Sequence, residues 1–248
     1  MTTVLKLGGS VITEKDRAET LDGPTLDAAA DAVADALAAD DVTELVVVHG
    51  GGSFGHHHAA EHGVSTTDGT HDHAAVTDVH GAMATLERFV RARLHERDVP
   101  AVPVHPLSAA SRDADGELTL PTEQVTTLLA EGFVPVLHGD GVAHAGEGVT
   151  VLSGDEIVTT LARQVETDRV GLCSTVPGVL DDDDEVIPEV SSFETVAPVL
   201  GESDATDVSG GMAAKVRELL ALDAPASIFG PDALAGFLAG ERVGTVIR

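Results

Sequence analysis

The sequence predicts an α/β fold with a mostly parallel central sheet covered by helices on both faces. Short Val-, Leu- and Ile-rich runs alternate with helical, often alanine-rich stretches along the whole chain, the order in which parallel strands and crossover helices follow one another. Hydrophobic residues make up 43% of the 248, with six Phe and neither Tyr nor Trp. The core is therefore aliphatic, which suits strands buried on both faces. Glycine clusters stand at the ends of two strand-like runs, where open α/β sheets bind ligands.

Residues 4–7 form a first apolar strand, ended by Gly8-Gly9. Residues 26–39 have helical character, rich in Ala with Asp on one face. A second strand over 45–48 ends at Gly50-Gly51-Gly52, a helix covers roughly 74–97, and a third strand covers 101–104. Residues 122–130 read as a helix, 133–137 as a fourth strand and 147–152 as part of a hairpin. Ile157, Val158, Leu161, Ala162 and Val165 recur at helical spacing in 153–166, with Ser153 placed to cap the start. Strand 169–173, helix 210–222 and strands 226–229 and 245–247 complete the chain. The acidic run Asp181 to Glu185 reads as a solvated loop. No internal repeat or linker divides the sequence.

The formal net charge is −28, which argues against nucleic acid or an anionic membrane as partner. Carboxylates are interspersed with apolar residues, a pattern of adaptation to high salt, where screening is strong. Cys173 is the one cysteine; it lies in an apolar run and reads as a small core residue, with no disulfide framework to join. No run of about 18 apolar residues predicts a membrane span. The chain enters its first strand without a signal-peptide pattern, so the cytoplasm is the expected location.

The two glycine clusters are Lys6-Leu7-Gly8-Gly9-Ser10 and Gly50-Gly51-Gly52-Ser53-Phe54-Gly55-His56. Glycines let backbone N–H groups converge on an anion, and a helix starting behind them adds its dipole. Gly50, Gly52 and Gly55 also fit a dinucleotide fingerprint, but Asp68 and Asp72 follow no strand. A P-loop reading fails because His56-His57 stands where Lys-Ser/Thr is required. One such cluster reads equally as a turn; two at two strand ends favour anion binding.

Lysine occurs three times, at Lys6, Lys15 and Lys215, while the other basic residues are arginine. Surface lysines are the easiest to lose, so the survivors point to chemistry. Three ammonium groups around one site would supply the charge that phosphoryl transfer needs. Asp155, opening the helix after Leu152-Ser153-Gly154, reads equally as a carboxylate that holds a lysine and as a first-turn acid favoured by the helix dipole.

These two loops, together with Leu152-Ser153-Gly154-Asp155 and Asp207-Val208-Ser209-Gly210-Gly211-Met212 followed by Lys215, resemble the amino acid kinase superfamily in order and spacing over essentially the full chain. Gly-Gly-Ser-Phe-Gly-His after the second strand is similar to the isopentenyl phosphate kinases within it. The resemblance implies an αβα sandwich, one amino acid kinase domain over 1–248, with an acceptor lobe over about 1–150 and a nucleotide lobe over about 151–248. It implies a homodimer that uses ATP, with Mg2+ bound to it, to convert isopentenyl phosphate to isopentenyl diphosphate in an archaeal-type mevalonate pathway. Lys6, Gly8, Gly9 and Ser10 would contact the ATP phosphates and Lys15 would stabilise the transition state. Gly51 and His56 would hold the acceptor phosphate, with Gly52 near the ATP side and Gly154 beside the acceptor. Asp155 would orient lysines, and Thr175, Gly210 and Lys215 would line the nucleotide site. The chain departs from the family at Ser174 to Leu180, where an acidic residue and a final Tyr are common; adenine packing is then aliphatic.

Other kinases of this fold, acting on fosfomycin, UMP or acetylglutamate, are the nearer alternatives. No arginine stands near the acceptor loop to clamp an α-carboxylate. A His-rich metal-binding protein is the alternative of a different class, since ten of the 12 histidines fall between His49 and His105. Their spacing matches no compact zinc pattern, so no metal ligands are assigned and residues 57–80 are expected to be solvated.

Overall fold

A computed structural model describes residues 1–200 and 211–248. Its strands are β1 (Thr2–Leu7), β2 (Glu44–His49), β3 (Ala101–Pro103), β4 (Ser111–Arg112), β5 (Leu118–Thr119), β6 (Val134–His138), β7 (Asp140–His144), β8 (Gly148–Leu152), β9 (Arg169–Cys173), β10 (Glu189–Val190), β11 (Ala226–Phe229) and β12 (Thr245–Ile247). The α-helices are α1 (Gly9–Ile12), α2 (Gly23–Ala38), α3 (Gly52–Glu61), α4 (His73–His95), α5 (Glu123–Ala130), α6 (Gly154–Gln164), α7 (Ala197–Leu200), α8 (Gly211–Leu220) and α9 (Leu234–Leu238).

The main sheet runs β10-β12-β11-β9-β1-β2-β6-β3 and is parallel except where β11 meets β12. Successive side chains of a strand enter opposite faces, and each face has its own core. Leu5, Leu7, Leu45 and Val47 pack with Leu26 and Val33 of α2, Leu86 and Val90 of α4 and Phe237 of α9. Val4, Val46 and Val48 pack with Val125 of α5, Ile157 and Leu161 of α6 and Val216 of α8. The αβα sandwich expected from the resemblance is therefore present. A four-stranded sheet, β5-β4-β7-β8, flanks it, and its antiparallel β7–β8 pair supplies the hairpin expected at 147–152.

Local chemistry sets the helix starts. The Asp22 carboxylate accepts the Thr25 amide and Asp72 accepts the Ala74 amide. Ser153 and Glu156 form a reciprocal capping box at α6, so the expected Ser153 cap is present. Asp181 to Glu185 forms a turn between the bridged residues Leu180 and Val186. Gly210 and the motif residues Asp207 to Ser209 lie outside the described residues.

One element and the exposure of one segment depart from the sequence expectation. Residues 52–61, read as a glycine loop running into a solvated stretch, form α3. Its buried Phe54 packs edge-on to Phe89 of α4, and burial overrides the weak helix propensity of Gly and His. α4 matches the helix expected over roughly 74–97, but its first residues, expected to be solvated, bury Ala75 and Val79. Among the described residues, no helix is long and apolar enough to cross a membrane.

Candidate active site

Strand register brings four loops to one edge of the sheet. Leu7 pairs with both His49 and Cys173, and His49 pairs with His138. The next residue of each strand therefore leaves the sheet at the same level: Gly8, Gly50, Gly139 and Ser174. Backbone hydrogen bonds lock them there, from Gly8 N to Cys173 O (2.9 Å), Gly50 N to Leu7 O (3.0 Å) and Gly139 N to His49 O (3.0 Å).

Above this edge lies a cleft of about 350 Å3. Eleven residues singled out from sequence line it: Lys6, Gly8, Gly9, Ser10, Lys15, Gly51, His56, Gly154, Asp155, Thr175 and Lys215. All three lysines of the chain face the same space. Gly52 does not line it; Gly52 is buried behind the wall with φ +48°. A Cβ on Gly9 would stand 2.1 Å from Gly52 N, so the two glycine clusters pack backbone against backbone. A Cβ on Gly154 would meet the Lys6 stem at 3.2 Å.

Asp155 organises the floor. Its Oδ1 lies 2.7 Å from Lys6 Nζ and its Oδ2 lies 3.7 Å from Lys215 Nζ. Burial by itself would raise the Asp155 pKa, but the two ammonium groups hold it below its usual 3.8. Burial lowers the Lys6 pKa from 10.5; Asp155 opposes that shift and Lys215 adds to it. Of the two readings left open by sequence, the lysine-holding one matches this geometry, although Asp155 also sits in the first turn of α6.

His56 is exposed on the first turns of α3, with its Cδ2 3.4 Å from where a Gly51 Cβ would be. The imidazole thus covers Gly51 at the N-terminal end of a ten-residue helix, a place that favours an anion. Lys15 is exposed in the loop between Thr13 and Leu21. That loop is tied to α3 by Ser53, whose amide donates to Thr13 Oγ1 (2.9 Å) and whose carbonyl accepts the Glu19 amide (3.1 Å). Cys173 is buried in the core beneath the edge, and burial pushes its thiol pKa up to about 12.

Sequence reasoning missed Gly139, Asp140 and the histidines at the strand ends. Gly139 carries the same signal as Gly8 and Gly50, a glycine directly after an apolar strand. His49 and His138 donate from Nδ1 to the carbonyls of Gly50 and Gly139 at 3.1 and 2.9 Å. Burial lowers both pKa values to about 4, so both rings are neutral at pH 7. Asp140 is buried and paired with His80 Nδ1 at 3.0 Å. No spacing rule links residues 80 and 140.

Residues 1–222 match the profile of the Amino acid kinase family. The chain belongs to that family. Among amino acid kinases it is 61% identical, over 99% of its own length and 98% of the relative's, to the isopentenyl phosphate kinase of Haloferax volcanii. It is 29% identical to the isopentenyl phosphate kinase of Methanocaldococcus jannaschii, covering 87% of this chain and 85% of that one. Its fold matches a solved isopentenyl phosphate kinase with a TM-score of 0.84 at 26% identity, covering all of both chains.

Proposed function

We propose that this kinase transfers the γ-phosphoryl group of ATP to isopentenyl phosphate, giving isopentenyl diphosphate and ADP for isoprenoid biosynthesis by an archaeal-type mevalonate pathway. The observation that carries this reading is the joint placement of Lys6, Lys15, Lys215 and His56 around one cleft, with Asp155 between two of the lysines. The names of the relatives in Haloferax volcanii and Methanocaldococcus jannaschii support it.

In the reaction, an oxygen of the acceptor phosphate bonds to the γ-phosphorus as the bond to the β,γ-bridging oxygen breaks. The acceptor is already anionic, so positioning and charge matter more than proton abstraction. His56 donates a hydrogen bond to the acceptor phosphate over Gly51. Lys15 follows the phosphoryl group in flight. Lys6, Gly8, Gly9 and Ser10 hold donor phosphates, and Thr175 and Lys215 line the nucleotide site. Asp155 keeps the Lys6 and Lys215 ammonium groups aimed, and Gly154 leaves room for the acceptor. Ala59, Val79 and Met83 offer an apolar wall suited to a hydrocarbon tail.

Among the described residues of the cleft, the carboxylates are Asp155, engaged by lysines, and Asp140, engaged by His80 and the Gly141 amide. Neither is left over as a metal ligand, so Mg2+ is expected to ride on the phosphates of ATP. The reading includes a cytoplasmic homodimer, an acceptor lobe over about 1–150 and a nucleotide lobe over about 151–248.

The test is ADP release at high salt with isopentenyl phosphate, dimethylallyl phosphate, fosfomycin, UMP and acetylglutamate. Turnover of isopentenyl phosphate is expected. Turnover of UMP or acetylglutamate with none on isopentenyl phosphate would overturn the assignment. His56→Ala is expected to lose most activity with an unchanged circular dichroism spectrum; near-normal turnover would remove His56 from the mechanism.

A further inference from the structure

His58, Glu61 and His62 lie on the side of α3 turned away from the cleft-lining residues Ala59 and Ala60. Each can offer one ligand atom, and these three atoms lie within 4.8 Å of one another. The spacing i, i+3, i+4 puts them on one helical face. His58 is in the last turn of α3 and His62 is its C-terminal cap, the end at which the helix dipole favours a cation.

Each of the two rings has one nitrogen engaged by a carboxylate from elsewhere in the fold, which leaves its other nitrogen for an ion. His58 Nε2 contacts Glu19 Oε1 at 2.5 Å, and His62 Nε2 contacts Asp78 Oδ2 at 3.0 Å. Carboxylates that orient an imidazole through its second nitrogen are the usual outer shell of a metal-binding histidine. His58 Nδ1 is buried and has no hydrogen-bond partner. Its nearest carboxylate oxygen, Glu61 Oε2, is 4.0 Å away, too far for a hydrogen bond; two ligands on a tetrahedral zinc stand roughly 3.3 Å apart, so a small rotation of the exposed Glu61 side chain would bring both atoms onto one ion.

We infer that His58, Glu61 and His62 form a site for a divalent transition-metal ion of the zinc type, braced by Glu19 and Asp78. Two imidazoles with one carboxylate favour Zn2+, Co2+ or Ni2+ over Mg2+ and Ca2+. Three protein donors leave a coordination position for water. Glu19 belongs to the loop that carries Lys15 and Asp78 belongs to α4, so the site joins three elements around the acceptor side of the cleft. Counting histidines along the chain did not reveal it, because Glu61 and the bracing carboxylates do not enter such a count.

The test uses the full, untagged chain in concentrated KCl at neutral pH, which screens diffuse attraction to the acidic surface. Co2+ is titrated while its visible d–d absorption is followed, and Zn2+ is then added. One Co2+ per chain, displaced by Zn2+, is expected. The double variant H58A/H62A should lose the band, while H57A and H71A should keep it. Asp78→Asn should weaken binding roughly 10-fold or more. Circular dichroism checks that each variant is folded; His58 and His62 are partly exposed, and their removal leaves the core intact. Binding only in the millimolar range, or a band that persists in the folded double variant, would overturn the site. So would an Asp78→Asn variant that binds as tightly as the parent.

Discussion

Asp155 shows why one residue can decide a site. Its carboxylate is buried, and the Lys6 side chain beside it is only 11% exposed. Two ammonium groups make the charged form stable there, and the carboxylate in turn keeps both ammonium groups in the cleft. Removing the carboxylate leaves Lys6 buried without its partner, a change that costs about 3–5 kcal/mol when a buried pair is broken. Asp155→Asn is therefore expected to lower the urea midpoint and to reduce turnover by roughly 100-fold or more, since the two ammonium groups are no longer held in the cleft. Adding Lys6→Met should restore part of the stability and none of the activity. A stable, active Asp155→Asn enzyme would return Asp155 to the role of a first-turn helix acid.

At the level of elements, the cleft depends on two loops meeting without side chains. The Gly9 Cβ position lies 2.1 Å from Gly52 N, and backbone cannot yield there as a side chain can. At Gly55 the clash is with Met83 Sδ at 2.5 Å, the flexible part of a thioether. Gly9→Ala is expected to destabilise by roughly 1–3 kcal/mol, as overpacking does, and to abolish ATP binding measured by calorimetry. Gly55→Ala is expected to cost less than about 1 kcal/mol, because Met repacks. Equal effects of the two on thermal unfolding would mean that the Gly9–Gly52 contact is not what holds the loops together. The glycine clusters were legible in the sequence; their mutual contact was not, because it joins residues more than 40 positions apart.

For the whole molecule the governing quantity is the net charge of −28. Self-repulsion among surface carboxylates weakens the compact state, and salt relieves it as the screening length falls from about 10 Å at 0.1 M toward about 3 Å at 1 M. The thermal midpoint is expected to rise steadily with KCl over that range. A midpoint independent of salt would show that the acidic surface carries no net strain.

The sequence by itself determined the layer architecture, most of the elements and eleven residues of the cleft. The architecture, the strand-end glycines and the lysines rest on local signals: apolar periodicity, glycine at strand ends, and lysine left in a chain that otherwise uses arginine; His56, Gly154 and Thr175 came from the resemblance to the amino acid kinase motifs. It did not determine α3, whose Gly- and His-rich run becomes helical only by burying Phe54 against α4. Nor did it pair Asp140 with His80, or gather His58, Glu61 and His62 between Glu19 and Asp78. Those contacts depend on strand register and helix packing, which bring together side chains that no spacing along the chain relates. Lys6, Lys15 and Lys215 were visible as a set from composition; only the fold placed Asp155 between two of them.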